Sequence, residues 1–496
     1  MFIDARTLPE GTELEADVVI AGAGAAGITL AKRLAAAGIS VVVLESGGHE
    51  FEAETQALAL GEISGADYWA LDTARLRYFG GTTNHWTGWC RPLDQHDFEK
   101  RPWVQQSGWP LSRADLDPFY RRAHELCELG EYVYDPKHWA EKTKTSLLPL
   151  DDTPLQTTLW QLSTPTRFGP RYRESLLNAP NVQVVLHTNL VALENDDNPA
   201  KIQRVQARTL SGVSLGVKAR ATVLALGGLD NARMLLIGSG KRPGGIGNEH
   251  GLVGRYFADH PHSAVGILLC NASEEQMRLY QDVVDVGRPA AIQASLGIKP
   301  EVLKEHKLLG FSAILRPVTH DPPYPAAQAK AVAALWDAEK SKAVFPLELF
   351  IRTEQLPDPE SFLTLSSKKD ALGLPKLQLH WHHHAQTLDS IKRGVELLAG
   401  AFGQIGLGRV HSYIHAGIEV PGAWPEISGG NHHMGTTRMA EDPKYGVVDP
   451  NCKVFGMENL FVAGSSVYPT TGYANPTLTI VALALRLGDH LAKTLS

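Results

Sequence analysis

Residues 16–47 read "ADVVIAGAGAAGITLAKRLAAAGISVVVLESG", and their spacing decides the fold. Asp17 to Ala21 form a short apolar run, Gly22-x-Gly24-x-x-Gly27 follows as a tight turn, and Ala26 to Ala37 carry helical spacing. Val41 to Leu44 form a second buried strand that ends in Glu45, so the stretch is a βαβ unit. The three glycines differ in what they allow. One permits the turn, one lets backbone approach a pyrophosphate, and one lets helix and strand pack closely. The helix N-terminus then offers unpaired N–H groups and a positive dipole end to the phosphates. Glu45, eighteen residues after Gly27, stands where a carboxylate accepts hydrogen bonds from ribose hydroxyls. An acid there suits FAD or NAD and disfavours a 2′-phosphate.

The rest of the composition narrows the class. With 496 residues, 43% hydrophobic and 20% charged, the chain has the make-up of a soluble globular protein of two to four domains. A formal charge of −7 with scattered Lys and Arg lacks the basic footprint of a nucleic-acid binder. Cys90, Cys127, Cys270 and Cys452 are far apart with no C-x-x-C, which argues against a structural zinc, an iron–sulfur cluster or a disulfide framework and fits a reducing cytoplasm. The start "MFIDARTLPEGTELEADVVIAGAG" has acids and a proline where a secretory signal needs a basic start and an apolar run. No segment reaches the eighteen or more apolar residues of a membrane span. The expectation is therefore a cytoplasmic protein without a membrane span, with export alongside a signal-bearing partner left open.

Six further blocks point to a family. They are "RLRYFGGTTNHWTGWCRPLDQHDF" (75–98), "GWPLSRADLDPFYRRA" (108–123), "VLALGGLDNARMLL" (223–236), "GLVGRYFADHPH" (251–262), "EQLPDPESFLTLSSKKDALGLPKLQLHW" (354–381) and the run from Asn431 to Leu491. In type and order they resemble the glucose–methanol–choline (GMC) oxidoreductases, especially the pyranose oxidase and sugar dehydrogenase branch. The resemblance implies an α/β fold: a discontinuous, Rossmann-like FAD-binding domain and a substrate domain built on an antiparallel sheet. The corresponding segments are 1–100, 160–262 and 428–496 for FAD, and 101–159 and 263–427 for substrate. The residues agree as far as they go, because "ATVLALGG" (221–228) and "NLFVAGSSV" (459–467) supply further apolar strands, and "NVQVVLHTNLVAL" (181–193) alternates like an added hairpin. Val191 matches the family position whose backbone meets adenine; as a sequence feature it is equally an ordinary core strand residue.

"GGTTNHWTG" (80–88) is a second cofactor anchor. Gly80 and Gly81 let backbone lie against the isoalloxazine ring, and Thr82, Thr83 and Asn84 offer hydrogen bonds to its polar edge. In the resemblance His85 matches the histidine joined to the flavin 8α-methyl group of pyranose oxidases, and Thr87 the threonine near flavin N5. Asn84 departs from the threonine found there, which leaves two roles open for His85: a covalent link to FAD, or a packed contact with the dimethylbenzene edge. Without a cluster of cysteines, electrons leave the flavin directly to oxygen, a quinone, a dye or a partner protein.

"NHHMGTTRM" (431–439) carries the chemistry. His432 and His433 are adjacent, point different ways and lack a carboxylate at metal-ligand spacing, so they do not read as a metal site. "HWHHH" (380–384) reads as a strand end with some side chains in solvent. The resemblance places the catalytic histidine three residues before the glycine, which selects His432, and its downstream partner at Asn475, followed by Pro476. A neutral imidazole can take a hydroxyl proton while Asn475 holds the oxygen and aims the C–H bond at the flavin. His433 is assigned a supporting contact. Asn475 also reads as the N-cap of a helix with Pro476 in its first turn. Gly464 and that helix start, Pro476 and Thr477, would set N–H groups against the flavin's N1–C2=O edge.

The expected activity is oxidation of a secondary hydroxyl of a sugar or glycoside. The alternatives are the same chemistry on a sterol, terpenoid or aryl alcohol, and, remotely, a flavin-binding protein without turnover. Gln355 and His384 are candidates for a sugar pocket, although ordinary structural roles fit each better. The helical pattern at 324–344 fits a lid or a contact within a homo-oligomer.

Overall fold

A computed structural model describes residues 1–195, 197–242, 244–287, 291–318, 345–415 and 426–496. The helical pattern expected over 324–344 lies outside them. The first sheet has a parallel body running Phe2–Asp4, Val182–Leu186, Val41–Leu44, Thr12–Ala21, Ser214–Leu224 and Leu460–Val462. Both faces are covered along the centre of this body: Val18, Val19 and Ile20 on one strand and Val41, Val42 and Val43 on its neighbour are each at most 1% exposed. That is why they read as unbroken apolar runs rather than as alternation. Helix Ala25–Ala35 packs on helix Thr477–Leu495, which also receives helix Arg113–Leu126.

The stretch 181–193 is two strands, and the expected hairpin does not form. Val182–Leu186 joins the parallel body, whereas Asn189–Asn195 pairs with Ile202–Arg208 in an antiparallel ribbon. Between them His187 takes φ +57°. The N–H groups of His187 and Thr188 donate to the carbonyls of Gly47 and Glu45 at 3.1 and 2.9 Å. The chain is thus turned away at the end of the strand that carries Glu45, and alternation alone did not reveal the change of partner.

The second sheet is antiparallel, in the order Gly408–Ser412, Pro261–Cys270, Phe345–Thr353, Phe311–Pro317, Ala291–Ile298, Leu155–Leu162 and Trp89–Cys90. One face sets Leu347, Leu349, Ile351 and Ala313 against Ile391, Val395, Leu398 and Phe402 of helix Ala385–Gln404. Alternation puts the cross-strand neighbours His262, Arg352 and Ser312 on the other face. Trp160 belongs to the core of the first sheet, so the second sheet leans on the cofactor domain through its strand Leu155–Leu162. A small third sheet joins Phe362–Lys369 and Pro375–Trp381 to Glu62–Gly65.

These pairings cut across the expected segments. The boundary at 159/160 falls inside strand Leu155–Leu162, and Trp89–Cys90 and Ser428–Gly429, expected with the FAD domain, pair in the second sheet. Helix Arg113–Leu126, expected with the substrate domain, buries Leu116, Tyr120 and Ala123 in the first core. Its apolar stripe finds a partner in Thr477–Leu495, and local sequence does not specify that partner.

The third glycine of the turn is the tightest position. A Cβ at Gly27 would stand 1.9 Å from the Gly22 carbonyl oxygen. Gly27→Ala is expected to cost about 2 kcal/mol or more, as overpacking does, and to lower bound dinucleotide. Thermal unfolding and cofactor content check this; an alanine variant with unchanged values for both would contradict the close approach.

Candidate active site

The Gly22–Gly24 turn opens onto a cavity of about 560 Å³, within the range of ligand pockets. Gly22 has φ +103°, and a Cβ there would come within 2.4 Å of the Ala225 carbonyl oxygen. The second anchor sits directly on the first. The Gly80 N–H donates to the Ala23 carbonyl at 2.9 Å, and a Cβ on Gly81 would lie 3.1 Å from Gly24 Cα. Glu45 is buried, accepting from the N–H groups of Ala23 at 2.8 Å and Gly47 at 3.1 Å. Burial pushes its carboxyl above the usual range, and the two backbone donors oppose that shift.

Of the expected cofactor residues, Gly22, Gly24, Glu45, Gly81, Thr82, Thr83, His85, Thr87, Gly464, Pro476 and Thr477 line this one cavity, together with His432, His433 and Asn475. Gly27, Gly80, Asn84 and Val191 do not. Gly27 and Gly80 shape the turns from behind, and the Asn84 amide donates to the Phe79 carbonyl at 3.0 Å. Val191 lies in a bulge of its strand, where the wall is made by Thr188, Asn189 and Leu190. The helix begins at Thr477 with Pro476 as its cap residue, so Asn475 is not the N-cap.

Sequence reasoning missed a buried charge cluster at one end of the cavity. Asp230 lies 3.2 Å from Arg75 and 3.4 Å from Arg77, and Arg233 is 2.6 Å from Asp370. Three guanidiniums meet two carboxylates at this end, all on residues that line the cavity. The available signal was "RLR" at 75–77, two cations just before the glycine pair. The polar lining fits FAD in a second way. Thr188 Oγ1, Asp230 Oδ1, His433 Nε2 and Asn475 Oδ1 are buried without hydrogen-bond partners among the described residues, and all four residues line the cavity. Buried polar atoms are normally satisfied, so this wall is built for a polar molecule.

The other end of the site is a histidine network hung on Asp259. This fully buried carboxylate takes the backbone N–H groups of His260, Gly430 and His432 on Oδ1 at 2.6, 3.0 and 3.0 Å. The Tyr68 hydroxyl donates to Oδ2. Burial pushes the Asp259 carboxyl up to about 6, with those donors opposing the shift, so it is largely ionised at neutral pH. His432 and His260 meet Nδ1 to Nδ1 at 2.9 Å, and His260 Nε2 faces the Thr471 carbonyl at 3.4 Å. A carbonyl only accepts, so His260 carries its proton on Nε2 and its bare Nδ1 accepts from His432 Nδ1–H. His432 is thereby left with a bare Nε2. Burial, then the neighbouring His260, His262 and Arg352, hold its imidazole below the usual range and therefore neutral. Among the described residues no three His, Cys, Asp or Glu side chains form a group that could hold a metal.

His433 packs beside Tyr68 and Phe257 at ring separations of 6.0 and 6.1 Å, and its carbonyl accepts from Ser465 Oγ at 2.6 Å. Gln355 has a structural place: its oxygen accepts from the Asp259 N–H and the Trp381 indole at 3.1 and 2.9 Å. His384 caps helix Ala385–Gln404.

A dinucleotide cradle continuous with a buried neutral imidazole and an amide oxygen without a partner among the described residues fits a flavin-dependent oxidoreductase. Residues 17–244 match the family model described as FAD dependent oxidoreductase, and 357–484 match that described as GMC oxidoreductase. The chain belongs to the GMC oxidoreductases, FAD enzymes with oxidases and dehydrogenases of alcohols among their members. It is 24% identical to a 2-methyl-1,2-propanediol dehydrogenase of Mycolicibacterium austroafricanum, over 97% of this chain and 96% of that one. It is 27% identical to a C-glycoside 3-oxidase of Microbacterium trichothecenolyticum, over 83% and 75%. Among solved structures, pyridoxine 4-oxidase from Mesorbium loti superposes with a TM-score of 0.59 at 18% identity, covering 96% of this chain and 99% of that one, which speaks for the fold.

Glu45→Ala removes both backbone hydrogen bonds that shape the turn along with the carboxylate facing the cavity. FAD affinity is expected to fall about tenfold or more, since each orphaned buried donor costs ~1–3 kcal/mol. Flavin retained through gel filtration measures it; full retention would refute the assignment.

Proposed function

We propose that this protein oxidises a secondary hydroxyl of a sugar or glycoside to a ketone, with His432 as general base and Asn475 as the group that positions the alcohol. The observation that carries this reading is the shared cavity, in which a neutral imidazole with a bare Nε2 and an amide oxygen without a partner among the described residues stand beside the FAD-binding motifs. The Gly22–Gly24 turn, Glu45 and the Gly81–Thr83 segment would hold FAD, which when bound would supply the two-electron acceptor for the carbinol hydride. The hydroxyl proton goes to His432 Nε2, and loss of that proton and the hydride leaves the C=O bond. Asn475 does not titrate, so it holds geometry rather than protons.

A polar substrate suits the His432 end of the cavity, beside which the polar side chains of His260, His262 and Arg352 gather, because a sugar needs hydrogen-bonding walls. The likeness to a C-glycoside 3-oxidase supports a sugar or glycoside donor. The likeness to a 2-methyl-1,2-propanediol dehydrogenase, which spans nearly the whole of both chains, favours a second reading in which the donor is a smaller alcohol. Anaerobic bleaching of the flavin by pyranosides, with small diols as the comparison, separates the two.

His432→Ala is expected to retain the flavin spectrum and lose roughly 10²- to 10⁴-fold in turnover. Unchanged turnover would remove His432 from the mechanism. In the wild type the acid limb of turnover should lie below the ordinary imidazole range, because the depressed pKa keeps the base neutral as pH falls. His260→Phe, which cannot accept from His432 Nδ1–H, is expected to lower kcat at least about tenfold with little change in KM. A wild-type kcat in that variant would show that the pairing of the two imidazoles has no part in the base.

A further inference from the structure

Among the described residues, Arg352 is a buried cation without an anion. It is 5% exposed, its Nε donates to His262 Nε2 at 3.2 Å, and Nη1 is buried with no acceptor among those residues. Its guanidinium lies against the rings of Trp89 and Trp160, 5.3 and 4.9 Å from their centroids, which orients it without neutralising it. The carboxylates near this part of the fold are committed elsewhere. Glu354 makes two hydrogen bonds with Arg101 at 2.7 and 2.5 Å, Asp259 holds its three N–H groups and Tyr68, and Glu348 faces Arg316 at 3.8 Å. Burial, and then the second cation Arg316, lower the Arg352 pKa to about 9.

The position of this charge connects it to the reacting centre. Arg352 shares a sheet face with His262, and the His262 ring is 5.7 Å from that of His432. Uncompensated buried charges are costly in proteins and are normally paired or bound to a ligand. A planar guanidinium whose Nη1 has no acceptor among the described residues suits a carboxylate, which it can meet with two parallel N–H···O bonds.

We infer that Arg352 receives an oxyanion on the substrate, and that the oxidised alcohol is an acidic one, a carboxylate-bearing sugar or glycoside such as a hexuronoside. This inference rests on the sugar-oxidation reading above and sharpens it by assigning the group that anchors the end of the substrate away from the reacting carbinol. The shared chemistry of carboxylate and phosphate would satisfy the charge, and the planar fork favours the carboxylate.

The test is binding to the holoenzyme, read from perturbation of the flavin absorbance so that turnover is not required. The probes are tetrahydropyran-2-carboxylate, which has no hydroxyl to oxidise, the neutral tetrahydropyran, and glucose 6-phosphate for the phosphate arm. The carboxylate is expected to bind about tenfold or more tightly than the neutral ring, in keeping with a charge-assisted bidentate contact. Arg352→Gln should abolish that preference, and Arg352→Lys, which keeps the charge in a less exacting geometry, should retain part of it. Equal binding of acid and neutral probe by the wild type overturns the inference, as does an undiminished preference in Arg352→Gln; tighter binding of the phosphate overturns the carboxylate assignment. Anaerobic bleaching by methyl glucoside and methyl glucuronoside separates this inference from the reading beneath it. Bleaching by the neutral sugar with no binding of the acid defeats the role of Arg352 alone. Arg352-dependent binding of the acid with no bleaching by any alcohol defeats the oxidation reading alone.

Discussion

The carboxylate of Asp259 joins the parts of this protein that would otherwise be separate. It accepts N–H groups from His260, at the entry to the second sheet, and from Gly430 and His432, in the returning C-terminal segment, while Tyr68 closes its other oxygen. Three chain segments far apart in sequence therefore meet on one ion, and His432 is set by its own backbone N–H as well as by its ring. Replacing such an acceptor by an apolar group would strand several buried donors at once, which costs far more than a single hydrogen bond contributes. The cost of burying the charge is the raised pKa; the return is a fixed position for His432 relative to both sheets.

That geometry explains how two imidazoles can meet beside the cavity as donor and acceptor. Each ring has one partner that fixes its tautomer: Thr471 fixes His260, His260 fixes His432, and Arg352 Nε, which always donates, fixes His262. The chain of assignments ends at one unprotonated nitrogen, on the residue that lines the cavity. Tautomer control of this kind needs no titration near neutral pH, and burial keeps both His260 and His432 uncharged.

The dinucleotide unit was legible because its chemistry is local. A turn, a helix start and a strand end all fall within residues 16–47, and the strand at Val41–Leu44 and the close approach at Gly27 appear where spacing puts them. The family blocks located the second anchor and the pair His432 and Asn475, and the cavity gathers them. Asp259, His260 and Tyr68 were not legible, although "ADHPH" stands in one of those blocks, because a buried carboxylate is defined by donors from other segments and carries no periodicity. For the same reason the stretch 181–193 misled. Alternation reports that a strand is half-buried and is silent on which strand it pairs with.

The two ends of the cavity differ electrostatically in a way that bears on the chemistry. At the Asp230 end, cations outnumber anions but remain paired, an arrangement suited to holding a permanently charged cofactor. At the His432 end, burial and the buried charge of Arg352 disfavour any further positive charge, which keeps the His432 imidazole neutral and also makes its protonated form costly. A base that must accept a proton in such a place needs relief as the charge develops. The His260 lone pair on Nδ1–H supplies part of it, and the ionised Asp259, bonded to the backbone N–H of the same residue, supplies an opposite charge close by. A substrate anion on Arg352 would supply the remainder, so the group that anchors the substrate would also make the proton transfer less uphill. The resting neutrality of His432 and its capacity to become charged are then both set by neighbours, and the imidazole alone fixes neither.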